Sequence, residues 1–337
     1  MEGKPLVLVG VGKVGIGIVS RIPGSARVYV DTDSRTLMGL EGTTVFIGAE
    51  TGGTGTGKAP RKAYGMAQQE RDAIHAALSG AEAAIVVGAA GGGTAAGASA
   101  VVAECAKEVG IAVAVFMLEP LGFEGQSRLA AAKQYLRLIE QHADALFVLP
   151  GKTCKEPIET EPTLSQRFAA IENGLLDILH TFRDCLDHGL DIGDFRALLE
   201  SCGRAQIGFG SAKLEQGIEL AFEAACRRSF LDIESFRVAQ GLSLLVVAPP
   251  ELNADDLLRV TRRLEGLVPN ASLDTHLVAV PGADALCRVL VISRAIPAEV
   301  EAPTPDSVEQ PSDEELVLNG VNLEVPTYVR RARLRML

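Results

Sequence analysis

The stretch Gly91-Gly92-Gly93-Thr94-Ala95-Ala96-Gly97 restricts this chain to a small set of folds. A β-branched apolar run, Ala84 to Val87, leads into it, and a helix-compatible segment, Ala98 to Val109, leads out. Glycines at a strand-to-helix turn let backbone N–H groups approach an anion, and the helix N-terminus adds partial positive charge. The stretch is either a phosphate cradle or a tight turn that binds nothing. The order of its neighbours decides between them.

Two other glycine-rich stretches lie upstream. Leu6 to Gly10 is an apolar strand signal, followed at once by Gly10-Val11-Gly12-Lys13-Val14-Gly15. With Asp31 about twenty residues on, this spacing matches the dinucleotide fingerprint, in which the acid takes a ribose hydroxyl. A nicotinamide-dependent dehydrogenase is one reading, and a ligand-free βα turn is another. The second stretch, Gly52 to Lys58, has the G-x-x-x-x-G-K spacing of a P-loop, but Ala59 stands where a magnesium-binding hydroxyl is required. A backbone phosphate contact with Lys58 beside it is the expectation instead.

A helix over 60–79, a strand over 83–88 and the cradle come next. Helix 98–109, strand 111–117, a turn from Glu119 to Gly125, a helix reaching about His142 and strand 144–149 then alternate. This alternation predicts an α/β fold with a doubly wound parallel sheet, its ligands at the carboxyl ends of the strands. Thr163 is a natural N-cap for a long helix with one apolar stripe: Leu164, Phe168, Ile171, Leu175, Leu179, Phe182 and Leu186. Gly189 would stop it. Asp191 and Asp194 follow on a turn that enters the next helix. They either complement that helix's dipole or face outward together for chemistry. The segments 205–209, 213–228, 242–247, 254–266, 273–280 and 286–293 read as a second, smaller α/β domain.

Composition narrows the function. The net charge of −11 argues against duplex nucleic acid as a partner, and the absence of Trp leaves few stacking platforms. No apolar run reaches the ~20 residues of a membrane span, and Met1 to Pro5 lacks a signal-peptide pattern. The six cysteines are scattered without a C-x-x-C pair, which predicts free thiols in a reducing cytoplasm and no zinc site. Residues 297–320 hold seven carboxylates, four prolines and no Lys or Arg, the composition of a disordered linker. A short basic element ending in Arg330, Arg331, Arg333 and Arg335 follows it.

Taken in order, these motifs resemble the tubulin/FtsZ superfamily, and within it the bacterial FtsZ family of cell-division GTPases. The resemblance runs over residues 5–296 and returns in the tail. Gly91 to Gly97 is similar to that family's G-G-G-T-G-T-G signature. Gly10, Gly12, Lys13, Val14 and Gly15 stand in its first nucleotide loop, Asp33 in its second, and Gly55, Thr56 and Gly57 in its third. Phe123-Glu124-Gly125 with Arg128 matches F-E-G-x-x-R, which implies that Glu124 binds ribose hydroxyls and Arg128 reaches the nucleotide. The resemblance also implies that Phe168 stacks on guanine and Asn173 reads the base. Asp191 and Asp194 fall on the acids of N-x-D-x-x-D, implying that they position the attacking water in a neighbouring subunit's site. Leu323, Val325, Pro326, Tyr328, Val329, Arg330 and Arg331 match the family's C-terminal peptide, which implies docking on membrane tethers such as FtsA.

The expected organisation is a nucleotide-binding domain (1–162), a central helix (163–189), a C-terminal α/β domain (190–296), a linker (297–320) and a partner-binding peptide (321–337). GTP or GDP is the implied ligand, with Mg²⁺ held mainly through the phosphates and no metal-ligating side chains. The implied protein is cytoplasmic and bacterial, acts at the division site and polymerises with itself. Several positions depart from the family pattern. Lys13, Val14 and Ile16 replace glycines, Gly17, Gly151 and Gly189 each replace an Asn, and Ala95 and Ala96 replace Gly and Thr. Lost phosphate donors, and a Cβ at Ala95 where a positive φ is expected, predict weaker binding and slower hydrolysis, with Lys13 or Lys58 supplying charge. An FtsZ-like scaffold or regulator with weak or no GTP hydrolysis is the alternative.

Overall fold

The computed structural model describes residues 6–149, 163–199, 202–227, 230–231, 236, 239–280, 286–294, 317–318 and 321–322. Residues 1–298 form one compact unit and 299–337 another. Within the first, strands β1 (Leu6–Val11), β2 (Ala26–Asp31), β3 (Thr43–Phe46), β4 (Ala83–Ala89), β5 (Ala112–Leu118) and β6 (Ala145–Leu149) pair in parallel in the order β3-β2-β1-β4-β5-β6. Such pairing needs crossovers, and α1 (Gly12–Val19), α2 (Pro60–Gln69), α3 (Arg71–Leu78), α4 (Gly93–Glu108) and α5 (Gln126–Glu140) supply them. Side-chain alternation along β1 sends Leu6 and Leu8 to one core, and Val7, Val9 and Val11 to the other. Helices α3, α4 and α5 cover the second core. The first is covered by α1, α6 (Leu164–Asp187) and α7 (Ile192–Leu199).

The sheet does not stop at β6. Strand β7 (Gly203–Lys213) pairs in parallel with β6 through Ala145–Gly203 and antiparallel with β10 (Leu286–Arg294). Beyond β10 lie β8 (Gly241–Ala248) and β9 (Ser272–Ala279), which complete a ten-stranded sheet. Helices α8 (Ile218–Arg227) and α9 (Ala254–Leu267) pack a third core on β8 and β10. The second unit has two short described strands, β11 (Val317–Leu318) and β12 (Val321–Asn322), paired antiparallel across the expected linker–peptide boundary.

Helix α6 forms as its sequence predicts. Thr163 accepts from the Gln166 N–H at 3.3 Å while Gln166 accepts from the Thr163 N–H at 2.8 Å, a complete capping box. Ile171, Leu175, Ile178, Leu179, Phe182 and Cys185 enter the first core, which also holds Leu245 and Leu290 of β8 and β10. At roughly 1.5–3 kcal/mol for each fully buried large side chain, this stripe is a main tie between the two halves of the sheet. The expected stripe is too long at its start, because Leu164 and Phe168 stay exposed. Gly189, at φ +119°, takes the chain out of the helix where a side chain would be strained.

Two expectations need correction. The single helix over 60–79 is two helices, because the backbone leaves helical geometry at Glu70 (φ −102°, ψ 22°). The cradle is not wholly a loop: α4 begins at Gly93, five residues before the expected start, so Gly93 to Gly97 are helical. Ala95 therefore needs no positive φ; among the described non-glycine residues only Lys58 has one. The strain expected at Ala95 is absent.

Candidate functional site

The carboxyl ends of β1 to β5 gather the glycine-rich segments at one edge. Gly12, at φ +68°, turns β1 into α1, and a Cβ there would lie 3.4 Å from the Ala95 Cβ. A Cβ on Gly93 would meet the Lys58 Cα at 2.9 Å, and one on Gly97 would meet the Tyr64 N at 2.7 Å. The glycines of α4 thus let the segment 56–64 lie directly on its first two turns. Ala95, Ala96 and Gly97 are buried, so their contribution is packing. The Thr94 hydroxyl is 2.7 Å from the Thr32 hydroxyl and ties the first turn of α4 to the loop after β2.

That loop is held by its acids. Asp31 is buried and accepts from the Thr32 and Asp33 N–H groups at 2.7 and 3.2 Å. Burial pushes its carboxyl above the usual range against those hydrogen bonds. Asp33 accepts from the Arg35 Nε and Nη2 at 3.0 and 2.9 Å, which holds its carboxyl below the usual range, with Lys13 adding a smaller attraction. Lys13 therefore sits in the field of Asp33, whereas Lys58 lines the cleft.

The cleft has a volume of about 250 Å³ and is lined by Val14, Lys58, Ala89, Gly91, Gly92, Leu118, Glu119, Pro120, Leu121, Glu124, Arg128, Leu149, Phe168, Ile171 and Glu172. Gly91 and Gly92 stand at the N-terminus of the 16-residue α4, beside the Lys58 side chain. Phe168, 39% exposed, offers a ring face. Glu124 and Arg128 form an ion pair one turn apart, and Glu124 also accepts from the Leu121 N–H at 3.0 Å. The lining thus brings together seven expected residues: Val14, Lys58, Gly91, Gly92, Glu124, Arg128 and Phe168. Gly10, Gly12, Lys13, Gly15, Asp33, Gly55, Thr56, Gly57, Gly93 and Thr94 are not among the lining residues; they lie on β1, the starts of α1 and α4, and the loops after β2 and β3.

Asn173 is not among the lining residues. Its side-chain oxygen accepts from Arg21 Nη2 at 3.3 Å, and Glu172, which does line the cleft, lies 3.6 Å from Arg21 Nη1. Glu172, expected to act beside Asn173 in reading the base, does line the cleft, and Glu119 is a lining acid to which sequence reasoning assigned no role. Residues 150–162, including Gly151, lie outside the described residues, as do Leu323, Val325, Pro326, Tyr328, Val329, Arg330 and Arg331.

Asp191 and Asp194 lie far from this cleft. Phe168 sits at the start of α6 and the acids follow its end; nineteen residues of helix at ~1.5 Å each put them roughly 30 Å away. The register agrees. Gly203, just after α7, pairs with Ala145 at the start of β6, and its N–H donates to the Asp144 carbonyl at 2.9 Å. The two acids are therefore at the amino edge of the parallel strands. Both are exposed, and Asp191 accepts from the Gly193 N–H at 2.6 Å. Phe195, fully buried next to Asp194, packs edge-on against Phe182 at 5.4 Å. Phe182 meets Phe116 at 6.4 Å, and Phe116 stacks on Phe147 at 4.5 Å. This aromatic chain anchors the acidic turn to the centre of the sheet.

Comparisons with known proteins agree with this architecture. Residues 5–156 match the family described as Tubulin/FtsZ family, GTPase domain. The cell division protein FtsZ of Buchnera aphidicola (from Schizaphis graminum) is 28% identical over 304 residues, which cover 87% of this chain and 79% of that one. FtsZ of Haemophilus influenzae is 32% identical over 232 residues, 66% of this chain and 55% of that one. Among solved structures, an empty FtsZ dimer of M. jannaschii superimposes with a TM-score of 0.75 at 25% identity, covering 86% and 88% of the two chains. A protofilament of CetZ2 from Haloferax volcanii has the same fold, with a TM-score of 0.73 at 22% identity and coverage of 86% and 92%.

Proposed function

Residues 5–156 match the tubulin/FtsZ-family GTPase domain in a chain that resembles FtsZ, and from that premise we propose an FtsZ-type GTPase that assembles head to tail and acts in bacterial cell division. The observation that carries this reading is the placement of the two halves of the chemistry. The cleft offers donors, positive charge and an aromatic face at the carboxyl edge; the exposed acids stand roughly 30 Å away at the other. A copy stacked on the next brings Asp191 and Asp194 over its neighbour's cleft. Such an interface is heterologous and does not close, so it propagates into a filament.

In the assembled site the guanine lies against Phe168, Glu124 and Arg128 hold the ribose region, and Gly91, Gly92 and Lys58 receive the phosphates. These groups at the α4 N-terminus present donors rather than carboxylates, which fits a magnesium ion held through the phosphates. That ion, when bound, neutralises phosphate charge. Asp194 accepts a hydrogen bond from the attacking water and Asp191, pinned by Gly193, orients it, so the water adds in line to the γ-phosphate. A peptide over residues 321–337 docks on a membrane tether such as FtsA, which places the filament at the division site.

One observation favours a second reading, a scaffold that hydrolyses little or no GTP. Thr94 spends its hydroxyl on Thr32, and Ala96 has none, so the first turn of α4 has no free side-chain hydroxyl for a phosphate. Phosphate release from the purified chain with GTP and Mg²⁺ separates the two. Sedimentation with GTP against GDP tests the proposal itself: pelleting with GTP alone is expected, and equal pelleting in both overturns it.

A further inference from the structure

The α3–α4 contact places three side chains of metal-ligating type together. The ligand atoms of His75, Cys105 and Glu108 all lie within 4.8 Å of one another. Cys105 and Glu108 are one turn apart on α4, and His75 faces them from α3, where its Nε2 is 3.0 Å from the Glu108 Oε2. This cluster belongs to neither the cleft nor the acidic turn. Its ligands come from two helices, so no C-x-x-C spacing could announce it.

We propose that His75, Cys105 and Glu108 bind one divalent transition metal of the zinc class, with water in the fourth position. Zinc takes nitrogen, sulfur and carboxylate oxygen at about 2.0–2.3 Å in a tetrahedron, so ligand atoms already this close need only small side-chain rotations. A mixed imidazole, thiolate and carboxylate set suits zinc rather than magnesium or calcium, which prefer oxygen alone. Cys105 closes the site from the core side, while His75 and Glu108 are partly open to solvent and provide the entry.

Without metal, a guanidinium occupies the neighbourhood. Arg71 pairs with Glu108 at 2.5 Å and with Glu104 at 3.0 Å, and donates to the Gln68 side-chain oxygen at 2.8 Å. Metal takes Glu108 from Arg71, which keeps Glu104 and Gln68. Binding breaks the Cys105 S–H bond: sulfur keeps the electron pair as a metal ligand and the proton leaves to solvent. The bound ion staples α3 to the C-terminal half of α4, the helix whose N-terminus forms the cradle.

The test titrates Zn²⁺ into the full chain after chelator treatment and without nucleotide, against a chromophoric competitor. One equivalent of zinc per chain is expected, with a rise in Tm. His75→Ala and Glu108→Gln, both away from the packed core, each weaken binding by about 10- to 100-fold, at least the loss seen for outer-shell partners. Co²⁺ in place of zinc gives a thiolate-to-cobalt charge-transfer band that Cys105→Ser removes. If Cys105→Ser fails to fold, the other two variants carry the test. Absence of stoichiometric zinc, unchanged affinity in His75→Ala and Glu108→Gln, or a charge-transfer band that survives in a folded Cys105→Ser, overturns the proposal.

Discussion

The two edges of the parallel sheet are chemically opposite. At the carboxyl edge, backbone N–H groups, Lys58 and Arg128 surround a cleft of about 250 Å³. At the amino edge, Asp191 and Asp194 stand exposed beyond α6. The first edge suits an anionic ligand but holds Glu124, the acid proposed to bind ribose, in an ion pair with Arg128. The second has carboxylates fit to orient water. Helix α6 joins them rigidly, so one molecule cannot bring its own acids to its own cleft. The difference between the edges is what makes the proposed activity depend on a second copy.

The sharpest way to break this contrast is to remove the acid from one edge only. Asp194→Ala should lower GTP turnover by about 10²- to 10⁴-fold, the usual worth of a positioned acid–base group, while nucleotide binding to the monomer is unchanged. Nucleotide titration beside phosphate release reads both. A loss of affinity would mean that the acid acts within its own subunit.

Removing charge from the other edge should do the reverse. Lys58 is the only described non-glycine residue at positive φ, a conformation that costs of order 1–3 kcal/mol and persists at functional sites. Lys58→Ala should weaken GTP binding by about 10- to 100-fold, the worth of a charge-assisted hydrogen bond of about 1.5–3 kcal/mol. Lys13→Ala should change it little, because Lys13 sits in the field of Asp33. A fluorescent-nucleotide competition separates these outcomes.

Between the edges, Asp184 on α6 joins Arg183 at 2.5 Å and Arg288 of β10 at 2.7 Å. Burial pushes its carboxyl up, but the two arginine hydrogen bonds outweigh that and hold it below the usual range. A lowered folded-state pKa contributes stability that is present above the unfolded value, about 3.9, and lost as pH falls through the folded value. Denaturant midpoints should therefore fall in that acid window. Asp184→Asn should cost about 2 kcal/mol at pH 7, less than a fully buried pair because solvent screens part of it, and should flatten the acid limb. The smallest effect is expected from Thr94→Val, which removes the link to Thr32 and should cost about 1 kcal/mol in urea unfolding.

Much of this architecture was legible in the sequence. Alternating apolar strands and helices specify the parallel sheet, and Thr163 with Gly189 marks α6 to within a residue or two. Other features depend on distant contacts. The break at Glu70 follows no Gly or Pro, so local propensity does not mark it. The entry of the cradle into α4 depends on segment 56–64 pressing against Gly93 and Gly97. The sequence spacing of Asp191 and Asp194 is plain, but their distance from the cleft needs the direction of α6 and the Ala145–Gly203 register. Strand β7 reads as the start of a separate domain until its pairing with β6 is seen. His75 and Cys105 are thirty residues apart and meet only because α3 packs on α4.

The central claim, a GTPase site completed by a neighbouring molecule, is tested most directly by phosphate release measured across a dilution series. The rate per molecule should be near zero below a threshold concentration and rise cooperatively above it, and a mixture with Asp194→Ala should lower it more than in proportion to the fraction added. A rate per molecule that stays constant on dilution would place the whole active site within one chain and end the two-edge account.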